Sequence, residues 1–238
     1  AFSKAMEFRV DFFFRVLMDL VFYIIQFGFF NILYLHTDIL GGWNLEQMKI
    51  FIASFIFVDA FNMTFFANNS WQLPISINKG ELDYYLTKPI ASFFVLGLRE
   101  IAANSFINLI FATCLLIFIL VQSSLSFSLL SISIFILLLI NGAFLYYMTF
   151  LVFLLPVFWS GSSRGFADVF FAAEKIFQRP DGIFTYYIRR FFLFILPFSA
   201  MASMPTRYLF EENKLIIFTQ ILGASLFIYA LVWFIWSK

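Results

Sequence analysis

Six stretches of this chain run for twenty residues or more with almost no charge, and a helix needs about 20 apolar residues to cross a bilayer core. They cover 16–35, 48–67, 101–122, 125–158, 183–204 and 215–236. Composition supports a membrane reading: 63% of residues are hydrophobic and 12% charged, against roughly half and about a quarter in soluble domains. The expected fold is all-α, a polytopic membrane protein with six transmembrane helices filling 1–238 as one domain. No repeat or linker divides it. The sequence as given does not open on a leader pattern of basic, hydrophobic and small residues, so no cleaved signal peptide is expected.

The formal net charge of +1 gives no basic field, which argues against a nucleic-acid partner. The placement of charge carries more information. With six spans, Lys4, Arg9, Arg15, Lys79, Lys88, Arg99, Arg164, Lys175, Arg179, Arg189, Arg190 and Lys238 share one side, and only Lys49, Arg207 and Lys214 fall on the other. Positive charge collects on cytoplasmic loops, so both termini are expected inside. The single cysteine, Cys114, sits in an apolar run and reads as a packed or lipid-facing thiol. The single histidine, His36, lies in a short outer loop, so neither a histidine-based metal cluster nor an acid-base pair with a second histidine can be assembled.

Four segments interrupt or flank the spans. Residues 71–89, WQLPISINKGELDYYLTKP, form the longest polar gap, with a short helix expected from Glu81 to Lys88 between Gly80 and Pro89. Residues 1–15 carry an apolar stripe of Met6, Val10, Phe13 and Phe14 opposite Glu7, Arg9 and Asp11, the pattern of a helix lying on a membrane surface. Residues 164–180 place Phe166, Val169, Phe170, Ala173 and Phe177 at helical spacing, with Pro180 as the stop, and are expected flat at the cytoplasmic interface. Pro197 and Pro205 should break the fifth span and turn 197–214 into an outer re-entrant segment, because proline removes a helix hydrogen bond and clashes with the preceding turn.

Few polar groups fall inside the spans. Asp59 is the most unusual, since an acid at bilayer depth costs about 2.5–3.5 kcal/mol on insertion scales unless it faces protein or water. Asn62, Asn104, Asn108 and Asn141 are near enough along their helices to join it in a polar pathway or to tie helices together. Asp19, four residues after Arg15, can pair with it near the start of the first span.

The run Ile77 to Pro89, INKGELDYYLTKP, and the later IRRFFLFILPFSAMASMP resemble the six-span permeases of the ABC-2 family of ATP-binding-cassette exporters. The resemblance implies a type V exporter-like architecture and a bacterial inner-membrane location. It also implies a dimer with an identical or related permease subunit, and two separate ATPase subunits that hold ATP and Mg. This chain would bind no cofactor and would not itself be an enzyme. It contains no G-x-x-x-x-G-K-[ST] phosphate loop, and GSSRG at 161–165 lacks the lysine. By the same resemblance, Gly80, Glu81, Leu82, Asp83, Tyr84, Tyr85, Leu86, Lys88 and Pro89 form the coupling helix that docks on the ATPase. Leu82, Tyr85 and Leu86 lie on one face. Lys88 stands where the group usually carries arginine, so no bidentate contact is expected there. The alternatives are an anchoring protein that recruits a cytoplasmic partner through 71–89 without moving a solute, and a proton-coupled transporter centred on Asp59.

Overall fold

The computed structural model describes residues 9–81, 97–162, 164–175 and 178–237. Its long helices are α1 (Arg9–Tyr34), α2 (Leu45–Phe65), α4 (Ala103–Gln122), α5 (Leu129–Leu154) and α11 (Lys214–Trp236), joined by the shorter α3 (Ala67–Asn78), α6 (Val157–Ser160), α7 (Arg164–Glu174), α8 (Tyr186–Phe194), α9 (Phe198–Met201) and α10 (Ser203–Phe210). Among the described residues, five helices are long and apolar enough to cross a membrane. Local signals set their starts: Asn44 and Gln47 form a reciprocal capping box on α2, and the Ser128 hydroxyl caps α5. α2 is the core helix, buried nearly all round, whereas α1 and α4 leave most of their apolar surface outward, as lipid-facing helices do.

The two ends of the bundle can be named by residues they carry. At the Trp43 end, the Tyr34 hydroxyl donates to the Trp43 carbonyl, Ser124 bonds Glu46, and Lys214 reaches Ser131. At the Asn78 end, Asn78 donates to the Gly161 carbonyl and Phe158 meets Trp236 edge to face.

Three expectations change against this frame. The expected fifth span, 183–204, has before its break at Pro197 only a 3-10 turn, Asp181–Ile183, and the nine-residue α8, too short to cross a bilayer. The segment 164–180 does not lie flat across one end. It leaves Gly161 at the Asn78 end and packs Phe170, fully buried, against Tyr146, Phe150 and Phe153 of α5. It then reaches α1 through Gln178 on Gln26 and Arg179 over the Phe29 ring. The chain arrives at the Trp43 end where Gly182 meets Gly41 so closely that a Cβ on Gly182 would lie 1.9 Å from the Gly41 carbonyl oxygen. Arg179 and Arg189 therefore stand toward the Trp43 end, opposite to the side the charge count gave them. Finally, the first half of the polar gap, 71–78, is helical: α3 follows α2 directly after a break at Phe66 and carries Pro74 inside it.

The α9 turn reaches deep into the bundle. Met201 lies on Gly142 of α5, where any Cβ would come within 2.1 Å of the Met201 carbonyl oxygen. Pro197 caps α9, and α10 then returns to the Trp43 end, where Phe210 meets Phe127. Pro205 is buried within α10. The N-terminal stripe is described only from Arg9, where α1 begins and runs on without a break.

Candidate functional site

The polar gap leaves α3 through a helix stop built by its own sequence. Gly80 adopts φ +72°, its N–H bonds the Ile77 carbonyl at 3.1 Å, and the Glu81 N–H bonds the Ser76 carbonyl at 3.0 Å. This is the Schellman pattern, which needs a residue at ease in the left-handed region. The Ser76 hydroxyl also donates to the Glu81 carboxylate at 3.2 Å. Together with Asn78 on Gly161, these bonds fix where and in what direction the chain departs.

The return is held by a side chain that sequence reasoning missed. Asn69, 4% exposed, donates from Nδ2 to the carbonyls of Phe65, Gly97 and Glu100, each at 2.9 Å, and accepts the Glu100 N–H on Oδ1 at 2.9 Å. Asn68 and Gln72 each donate to the Glu100 carboxylate at 3.1 Å, and the Ala102 N–H bonds the Thr64 carbonyl at 2.9 Å. Gly97 lies against the Tyr147 hydroxyl, which a Cβ there would meet at 2.5 Å. Trp71 stacks on Phe171 at 5.4 Å, tying this helix to α7. The only sequence signal was the run Asn68–Asn69–Ser70 and Gln72 beside an apolar span. Of the expected coupling residues, Gly80 and Glu81 are placed by these bonds, and Leu82, Asp83, Tyr84, Tyr85, Leu86, Lys88 and Pro89 lie outside the described residues.

The intramembrane polar residues separate into different places. Asp59 and Asn108 line one cavity of about 330 Å³ with Asp19 and Tyr23, between α1, α2 and α4. Asn108 donates to the Asp19 carboxylate across α1 and α4. Asn141 is elsewhere: it donates to Ser225 at 2.7 Å and accepts from the Tyr229 hydroxyl at 3.1 Å, joining α5 to α11. Asn62 is buried on α2, and the Asn104 side chain lies outside the described residues. Among the described residues no cluster of histidine, cysteine, aspartate and glutamate could hold a metal ion.

A family model described as ABC-2 family transporter protein matches residues 20–238. The chain belongs to that family. It is a multi-pass membrane protein and a permease component of an ABC transporter, a class that associates with an ABC ATPase. No curated protein and no solved structure matches the chain.

In this ABC-2 permease the Trp43 end is closed by charge. Asp181, 2% exposed, accepts on Oδ1 from the Ser203 hydroxyl at 2.5 Å and from Arg207 Nη2 at 2.6 Å, and on Oδ2 from Arg189 Nε at 2.6 Å. Its own N–H donates to the Ser203 oxygen at 3.1 Å. The Arg207 side chain, 8% exposed, lies over the Trp43 ring, and its Nε sits 3.3 Å from Glu211 but off the line of a hydrogen bond. Burial raises the Glu211 pKa, an effect that Arg189 opposes and Asp181 reinforces. Arg189, Ser203 and Arg207 lie 8, 22 and 26 residues from Asp181, which was not singled out from the sequence.

Proposed function

We propose that this chain forms half of an exporter's translocation pathway, pairs with a second permease subunit, and takes its drive from a separate ATPase through the segment that begins at Asn78 and ends at Pro89. On this reading the Asn78 end is cytoplasmic, and most of the Lys and Arg that the charge count gave to that side still fall on it after Arg179, Arg189 and the adjacent Arg190 move. The passage of 161–182 between the bundle's ends serves as the remaining membrane crossing, followed by α8 to α10 as the outer re-entrant element. ATP and Mg belong to the partner subunits, and this chain does no covalent chemistry.

The observation that carries the reading is the double anchoring of the segment. Its exit is held by the Gly80 stop at the end of α3 and its return by Asn69 on α3, a helix that follows the buried core helix α2 directly. A push on a docked helix between those anchors would pass into the bundle as motion of α2 and α3, the kind of rigid-element transmission that coupled transporters use. The test is Leu82→Asp and Tyr85→Asp in the full transporter. Both should leave membrane insertion intact while uncoupling ATP hydrolysis from export, and full export with normal co-purification of the ATPase in both variants overturns the reading.

A further inference from the structure

The cavity between α1, α2 and α4 has a chemistry of its own. Asp59 sits within two turns of the end of α2, and Asn108 within two turns of the start of α4, so the cavity lies toward the Asn78 end, near the clamp. Three of its polar groups keep hydrogen-bonding capacity that no described residue takes up. Asn108 is 3% exposed and its Oδ1 has no hydrogen-bond partner. Tyr23 is 6% exposed, and no described residue accepts its hydroxyl proton. Asp59 likewise makes no hydrogen bond or ion pair with a described residue. The amide oxygen and the carboxylate are acceptors, the phenol can be one, and an acid at bilayer depth must face protein, water or a counter-charge. Among the residues whose side chains are described, no lysine or arginine lines the space, and the Arg15 side chain lies outside them.

The remaining walls are apolar and open sideways. Phe14, Met18 and Met63 line the cavity and are also exposed on the outside of the bundle, at 54%, 67% and 44%. A bare metal ion would be poorly served here, since hard cations take about six to eight oxygen ligands. An organic cation suits the site on every count: N–H donors for Asp59 and Asn108, a Tyr23 ring for its charge, and thioether and phenyl walls for a tail. The volume, about 330 Å³, is at the small end for a ligand site, roughly 300–1,000 Å³, and fits a head group rather than a whole amphiphile.

We infer that this cavity binds the ammonium group of a cationic amphiphile, which enters sideways from the bilayer past the exposed Phe14 and Met18 of α1 and Met63 of α2 and leaves its tail along them. As a statement about cargo, this rests on the export reading given above; as a binding site, it stands without it.

The test uses the full-length chain alone in lipid nanodiscs, with the polarisation of a dodecylammonium probe carrying a dansyl group at its tail end as the binding signal and dodecylamine and dodecanol as competitors. Saturable binding is expected, displaced by dodecylamine and not by dodecanol. Asp59→Asn should weaken it by about tenfold or more, and Tyr23→Phe or Asn108→Leu by a few-fold, as loss of a charge-assisted bond and of single neutral bonds would. Asp59→Asn removes a buried charge, and Tyr23→Phe keeps the ring, so correct folding of at least one variant keeps the result interpretable. Weaker probe binding in phosphatidylethanolamine nanodiscs than in phosphatidylcholine ones identifies a lipid head group as occupant, and equal binding identifies a free amine. Unchanged affinity in correctly folded Asp59→Asn, or equal competition by dodecanol, overturns the inference. Reconstitution with the ATPase separates the two proposals. Amine binding without ATP-driven export removes the transport reading alone, and export of another solute without amine binding removes this one alone.

Discussion

The two ends of the bundle are held by opposite chemistries. At the Asn78 end, amides do most of the work: Asn69 bonds three carbonyls and an N–H, Asn78 bonds a fourth carbonyl, and Asn68 and Gln72 donate to the Glu100 carboxylate. At the Trp43 end, one buried carboxylate gathers two guanidinium groups and a hydroxyl. A neutral hydrogen bond contributes about 0.5–1.5 kcal/mol net, whereas removing one partner of a buried ion pair costs about 3–5 kcal/mol because the other charge is left stranded. The charged end is therefore a stiff plug. The amide end can hold a segment in register and still give when pushed, which is the property a coupling element needs.

That contrast can be broken most directly at Asp181. Asp181→Ala strands Arg207 and is expected to lower stability by about 3–5 kcal/mol, read by thermal unfolding in detergent. A loss no larger than that of any amide variant at the other end would remove the distinction. Next in size is Asn69→Leu, which leaves the Gly97 and Glu100 carbonyls and the Glu100 N–H unpaired at a cost of about 1–3 kcal/mol. Its larger effect should appear in function, with transport per ATP hydrolysed falling further than stability does. Gly80→Ala follows: the position is sterically open but its φ is +72°, so about 1–2 kcal/mol of backbone strain is expected, with a shifted exit of the segment and reduced coupling. The smallest effect is Glu211→Gln. Because the folded-state pKa of Glu211 is raised, the folded protein binds its proton more readily than the unfolded chain does. The stabilisation from that proton is present at acid pH and fades as pH rises through the folded pKa. The variant should flatten this slope in a melting-temperature series from acid to neutral pH, and an unaltered slope would show that Glu211 does not report on the charged plug.

Much of the helical framework was legible in the sequence. The windows at 16–35, 48–67, 101–122, 125–158 and 215–236 each correspond to a long helix, because twenty apolar residues have few other ways to satisfy their backbone in a bilayer. The break at Pro197 followed from proline chemistry, and the family from the run around Gly80 and the Pro-containing segment after Ile188. The path of 164–182 was misjudged for a physical reason. Phe166, Val169 and Phe170 give the same amphipathic pattern whether the helix lies on a membrane or packs one face on α5, and its apolar run is too short to read as a span. The next stretch, 183–204, had the apolar length but is divided between α8 and α9.

The sequence by itself determined the class, the long helices, their caps and the left-handed stop at Gly80, since each depends on residues within a few positions of one another. Only the tertiary structure decided that Asn69 holds Gly97 and Glu100, that Asp181 gathers Arg189, Ser203 and Arg207, and that Asp59, Tyr23 and Asn108 share one cavity. Those pairings join residues from separate turns and helices with no periodicity to announce them. They are set by which helix faces pack together, and that depends on the whole bundle.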